Sequence, residues 1–168
     1  SYAYSGISGS GAGTLFIAPF VMDPNDSRRL WFGGRSIWRT DNGAAYWVQA
    51  AQQLSTTNKV SAIAVAPSDS NRVLVGMNDG TIFRQAQATT SDATTLWPSV
   101  RPRAGFVTSL TFDPDDARVA YATYAEFGGR HVWKTSDGGE TWIPIDGDGV
   151  GALPDIPVHA VIVDPNHR

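Results

Sequence analysis

Short apolar runs recur along the chain, each ending in a proline turn: F-V-M-D-P-N-D, I-A-V-A-P-S-D, L-T-F-D-P-D-D and V-I-V-D-P-N-H. Their prolines, Pro24, Pro67, Pro114 and Pro165, stand 43, 47 and 51 residues apart. After each of the first three turns comes a second β-rich run, at 29–32, 72–75 and 118–123, and then a third, at 37–40, 81–84 and 131–135. Val, Ile, Tyr, Trp, Phe and Thr dominate these runs, and Gly, Asn, Asp and Pro separate them. That is the pattern of strands and tight turns. Long windows of helical period are missing, so the expectation is an all-β chain with first strands at 16–22, 60–66, 107–113 and 158–164, each nearest the axis of the array.

A second repeat lies between the third and fourth strand of each unit. Residues 135–142 read T-S-D-G-G-E-T-W, with Thr135, Asp137, Gly139, Thr141 and Trp142 at the positions that shape a hairpin loop. The Asp carboxylate accepts backbone N–H groups ahead of it, the Gly takes a positive φ, and the Trp packs back onto the sheet. In the second unit Thr90, Asp92 and Trp97 keep the spacing. In the first, the alignment places Asp41 and Gly43 at the Asp and Gly positions and Tyr46 where Trp is expected, with Trp47 next. A period of ~40 to 50 residues belongs to propeller blades or helical arrays, and the strand pattern selects four-stranded antiparallel blades.

On these motifs the chain resembles the bacterial BNR/Asp-box repeat β-propellers, a superfamily with sialidases, xyloglucan-degrading hydrolases, sortilin-type receptors and a photosystem II assembly factor. The likeness runs from Gly13 to Arg168 and includes T-L-F-I-A-P-F-V-M-D-P-N-D-S-R-R-L-W-F-G-G and L-P-D-I-P-V-H-A-V-I-V-D-P-N. It implies that the Asp-box lies at the blade periphery, away from the ligand funnel, and is structural. It also implies an extracellular or periplasmic setting, although the sequence shows no signal-peptide pattern.

Counting strands gives blades at about 15–58, 59–105 and 106–156 and a lone strand at 158–164, all within one partial propeller over 1–168. Closed propellers have about 4 to 8 blades, so the expected ring is incomplete and the chain reads as a fragment. Open blade edges and apolar end faces then favour self-association. The net charge of −3, with no basic cluster, argues against a nucleic-acid partner. No window reaches the ~18 apolar residues of a membrane span. The absence of Cys removes thiolate zinc sites and cysteine nucleophiles, and nothing calls for a cofactor.

Candidate chemistry is sparse. Asp41 lies in R-T-D-N-G-A-A-Y-W, similar to the R-T-D-x-G-G-A-Y segment of xyloglucan-degrading propellers, where the resemblance makes the Asp catalytic. Glycosidases need two carboxylates roughly 5 to 9.5 Å apart, and no second one can be assigned. Asp41 therefore reads as a degenerate turn residue or as half of a catalytic pair. Asp146 and Asp148 offer oxygens to calcium but lack EF-hand spacing, which leaves a flexible turn as the simpler reading. Tyr124 with Glu126 is read as strand-end surface, and the isolated His131, His159 and His167 as blade surface. Arg101-Pro102-Arg103 does not match a sialidase Arg-Ile-Pro segment, and Asn25-Asp26-Ser27 is read as a turn. The expected function is a non-catalytic module that binds a glycan or a protein. The alternative is a piece of a glycoside hydrolase, xyloglucanase-like or sialidase-like.

Overall fold

The structure is a computed structural model of the 168-residue chain and describes residues 3–7 and 13–164. Three four-stranded antiparallel sheets follow one another. The first holds β1 (Phe20–Asp23), β2 (Asp26–Gly33), β3 (Ile37–Thr40) and β4 (Val48–Gln49) in chain order. The second holds β5 (Val60–Ala66), β6 (Asp69–Met77), β7 (Ile82–Gln85) and β8 (Ser99–Val100). The third holds β9 (Val107–Phe112), β10 (Ala120–Tyr124), β11 (Val132–Thr135) and β12 (Ile143–Pro144). The only helical element among the described residues is a 3-10 turn at Ala88–Thr90. These are blades in sequence, with first strands β5 and β9 packed on one another, and they do not close a ring.

Alternation along β5 explains why the middle blade is apolar on both faces. Ile63 and Val65 join Trp31, Ile37, Val75 and Trp97 between the first and second blades. Ala62, Ala64 and Ala66 point the other way, into a second core with Leu74, Val107, Leu110, Phe112, Tyr124 and Trp142. Successive strand residues face opposite sides, and a sheet covered on both sides loses its polar stripe. Each fully buried Val, Ile or Leu contributes about 1.5–3 kcal/mol. Two glycines set how closely the blades approach. A Cβ on Gly33 would stand 2.5 Å from Val60 Cγ1, and one on Gly76 would stand 2.5 Å from Val107 Cγ1.

The predicted strand at 60–66 coincides with β5, and that at 107–113 with β9 less its last residue. The run at 16–22 begins later, at Phe20, because the β2 ladder extends only to the Phe20–Phe32 pair and the bond from Gly33 N–H to Pro19 O. Phe16 is fully solvent-exposed.

The run at 158–164 forms no strand. Its start is nonetheless in blade register: Val158 N–H donates to Tyr124 O at 3.1 Å, as Val60 N–H donates to Gly34 O at 2.8 Å. Beyond Val158 no second strand lies beside it among the described residues, and an extended segment without a ladder partner is not a strand. Pro165 and His167 lie outside the described residues.

Candidate functional site

The third-blade box is a closed hydrogen-bond unit. Thr135 Oγ1 donates to Asp137 Oδ1 at 2.8 Å and accepts Gly139 N–H at 2.9 Å. Asp137 Oδ1 accepts the N–H groups of Glu140 at 2.9 Å and Thr141 at 3.0 Å, and its Oδ2 takes the Thr141 hydroxyl at 2.5 Å. Gly138 and Gly139 adopt φ of 78° and 92°. Burial alone would raise the Asp137 carboxyl, but the bonds from Thr141, Thr135 and Glu140 hold it well below the usual carboxylate range. Trp142 closes the turn onto the second core.

The first blade makes the same turn, one residue out of step with the sequence alignment. Thr40 Oγ1 donates to Asn42 Oδ1 at 2.8 Å, Ala44 N–H donates to Thr40 Oγ1 at 3.2 Å, and Tyr46 N–H donates to Asn42 Oδ1 at 3.0 Å. Asn42, Ala44 and Trp47 thus stand where Asp137, Gly139 and Trp142 stand. Trp47 is buried, and Tyr46 is exposed. Matching acid to acid had put Asp41, Gly43 and Tyr46 in those places. Counting back from Trp47 to Thr40 would have found the right register, since an amide oxygen accepts the same bonds as a carboxylate.

In the second blade the loop from the end of β7 to Trp97 is longer and contains the 3-10 turn. Asp92 caps a local turn there by accepting Thr94 N–H at 2.9 Å and the Thr95 hydroxyl at 3.0 Å. Thr90 bonds Gln87 O at 3.2 Å rather than Asp92. Trp97 keeps its place in the core and donates from Nε1 to Ala50 O at 2.9 Å, just as Trp47 Nε1 donates to Ala3 O at 2.8 Å.

Released from the turn, Asp41 sits between two guanidinium groups. Arg29 Nε donates to its Oδ1 at 2.6 Å and Arg39 Nε to its Oδ2 at 2.9 Å. Arg29 also reaches the buried Asp23 at 3.3 Å. Arg39 crosses to the next blade, donating to Ala88 O at 2.7 Å and Ser91 O at 2.9 Å. Partial burial would raise the Asp41 carboxyl, but the bonds and charges of Arg29 and Arg39 prevail and lower it. Such a carboxylate is ionised at neutral pH and has no proton to give as a general acid.

The remaining candidates are tied down by their neighbours. Asp146 accepts His131 N–H at 2.8 Å and faces Arg130 at 3.7 Å, and Asp148 is hydrogen-bonded to the same arginine. A cation there would have to displace that guanidinium, and among the described residues no group of three or more His, Asp or Glu could hold a metal ion. His131 is not surface: it is 1 % exposed, with Nε2 3.1 Å from Asp155 Oδ1. Tyr124 is not surface either. It is wholly buried, donates to Gly80 O at 3.3 Å, and has its hydroxyl pKa raised by that burial. Glu126 accepts Phe106 N–H at 2.6 Å, and Arg103 stacks over Tyr124. His159 is exposed.

A cleft of about 240 Å³ opens at the first blade, beside the loop joining β2 to β3. Phe20, Phe32, Trp38 and Gln49 stand in register across the four strands and so share one face. Phe32, Trp38 and Gln49 line the cleft with Arg35, Ser36 and Gln53, and no Asp or Glu is among its lining residues. Arg35 Nε is buried without a hydrogen-bond partner among the described residues. Strand alternation could have paired Phe32 with Trp38 in advance, but Arg35 and the two glutamines carry no motif.

No family model matches the chain. A xyloglucanase from Paenibacillus sp. is 27 % identical over 142 residues, covering 80 % of this chain and 11 % of that protein. The chain thus spans about a tenth of the length of the curated relative it matches. An ancestral GH74 enzyme superposes with a TM-score of 0.59 at 18 % identity, over 86 % of this chain and 20 % of the other. YCF48 from Cyanidioschyzon merolae superposes with a TM-score of 0.59 at 19 % identity, over 91 % and 46 %. The sheet order, the inter-blade cores and these superpositions together make the chain a run of β-propeller blades.

Proposed function

We propose that this part of the propeller binds a glycan and does not itself hydrolyse one. The observation that carries the reading is the cleft: two aromatic rings on one face, two glutamines, a serine, and an arginine whose buried Nε has no hydrogen-bond partner among the described residues. Arg35 lines the cleft with Phe32 and Trp38, so its guanidinium donors stand beside two aromatic rings, a pairing suited to the hydroxyls and the apolar face of a sugar. Aromatic side chains joined by convergent polar groups are a usual make-up of small-molecule sites, and here the polar groups predominate. The test is ¹H–¹⁵N NMR of the chain with xyloglucan oligosaccharides and other neutral glucans. Shifts confined to residues around Phe32, Arg35 and Trp38 are expected. Shifts elsewhere, or none with any glycan, would remove the reading.

A hydrolase role is favoured by the xyloglucanase relative and by Asp41. Against it, Asp41 is neutralised by Arg29 and Arg39, and no lining residue of the cleft supplies a second carboxylate. The glycan reading carries with it an extracellular or periplasmic setting. Self-association belongs to the same proposal: Phe16, Ile17, Phe20 and Met22 near the first blade and Val150, Leu153, Ile156 and Ile162 after the third are exposed. No helix among the described residues is long and apolar enough to cross a membrane.

A further inference from the structure

The strand registers allow the blades to be compared position by position. Arg39 pairs with Trp31 across β3 and β2, and Arg84 pairs with Leu74 across β7 and β6. Arg29 and Arg39 of the first blade therefore correspond to Arg72 and Arg84 of the second. The same registers make Asp41 correspond to Ala86, and the β1–β2 and β5–β6 pairings make Asp23 correspond to Ala66. The second blade thus keeps both arginines and has alanine in place of both carboxylates that hold Arg29.

The consequence is visible in the packing. Arg29 and Arg39 side chains are 18 % and 9 % exposed, whereas Arg72 and Arg84 are 38 % and 26 % exposed. The second pair lines a cleft of about 220 Å³ between the second and third blades, together with Gln85, Ala86, Pro98 and Gly138. The acids near it are loosely placed: Asp69 Oδ2 is 3.9 Å from Arg72 Nε, and Glu140 Oε1 is 3.6 Å from Arg84 Nη2. Asp137, also at this cleft, is spent on its own turn. Neither guanidinium makes a hydrogen bond among the described residues, so their planar donors are available to a bidentate acceptor.

We infer that the Arg72–Arg84 cleft binds a carboxylate from a ligand, in the place that Asp41 fills in the first blade; resting on the glycan reading proposed above, that ligand is a uronic acid unit. The site lies at the end of the sheets opposite the β2–β3 loop, so it is separate from the Phe32–Trp38 cleft. The carboxylate lies between the two guanidinium groups, and the sugar ring rests against Ala86 and Pro98.

The test titrates sodium glucuronate and its neutral methyl ester into the full chain by NMR. Saturable binding of glucuronate and none of the ester is expected. Ala86→Asp installs the internal carboxylate and should weaken glucuronate binding at least about tenfold while raising the melting temperature. Arg84→Gln should weaken it about tenfold, the effect of one lost charge-assisted bond. Arg35→Ala should leave it unchanged, which separates this site from the other cleft. Equal binding of the ester, unaltered binding in a folded Ala86→Asp variant, or preference for an acidic peptide over glucuronate would overturn the inference.

Discussion

Asn42 and Asp137 do the same work in different blades: each accepts the hydroxyl of the Thr two residues before it and the N–H of the residue four ahead. The turn therefore needs an oxygen acceptor and not a negative charge. Asp41, next door, is left free to bridge Arg29 and Arg39.

Ala44 holds the place of Gly139 with a φ of 67°, a conformation that costs a non-glycine residue about 1–2 kcal/mol. Ala44→Gly relieves that strain and loses part of the gain to unfolded-chain entropy, about 0.4–1 kcal/mol. A net stabilisation of about 0.5–1 kcal/mol is expected in chemical unfolding. A destabilised variant would show that the position is not strained.

Removing the Asp137 side chain leaves the N–H groups of Glu140 and Thr141 without their acceptor. Asp137→Ala should cost about 1–3 kcal/mol. Trp142→Ala, which opens the second core, should cost about 3–5 kcal/mol. Calorimetry gives both values, and at equal folded fraction binding of a neutral glycan at the Phe32–Trp38 cleft should not change. An Asp137 variant that melts normally but loses a ligand would make the box a binding element.

Acid should weaken the fold through these carboxylates. The folded-state pKa values of Asp41 and Asp137 are both depressed from the ordinary 3.8, so their contribution is complete above that value and is lost as pH falls through the lower folded values. The urea midpoint should be flat above about pH 5 and fall below about pH 4. In Asp137→Asn, which preserves the acceptor as Asn42 does, that fall should be shallower. An equally steep fall would place the titration elsewhere.

Exposed apolar surface at both ends of the array, from Phe20 and Met22 to Ile162, should drive association at about 25 cal/mol per Å² covered. Light scattering should report a mass above the monomer that drops in Phe20→Lys/Met22→Lys. A monomer at high concentration would show that these faces stay wet.

Much of the fold was legible because blade strands are short, apolar and repeated: β3 and β5 coincide with runs read directly from the residues. Strand ends depended on partners, which is why β1 starts only at Phe20 and why 158–164 forms no ladder. The box register slipped because an acid beside an amide attracts the alignment, while the physics asks only for an acceptor. His131 and Tyr124 looked like surface because their burial depends on contacts far away in sequence, with Asp146, Asp155 and Gly80. The Arg72–Arg84 pair had no local signal at all. Its meaning comes from Ala66 and Ala86 standing where the first blade has Asp23 and Asp41.

The central claim is that the first blade binds through the Phe32–Trp38 cleft and that Asp41 is structural. Calorimetric titration of xyloglucan oligosaccharides into the wild type, Arg35→Ala and Asp41→Asn, with the products assayed for new reducing ends, tests it most directly. The account predicts binding that Arg35→Ala weakens about tenfold or more, that Asp41→Asn leaves intact, and that releases no reducing ends. Hydrolysis that disappears in a folded Asp41→Asn variant would contradict it.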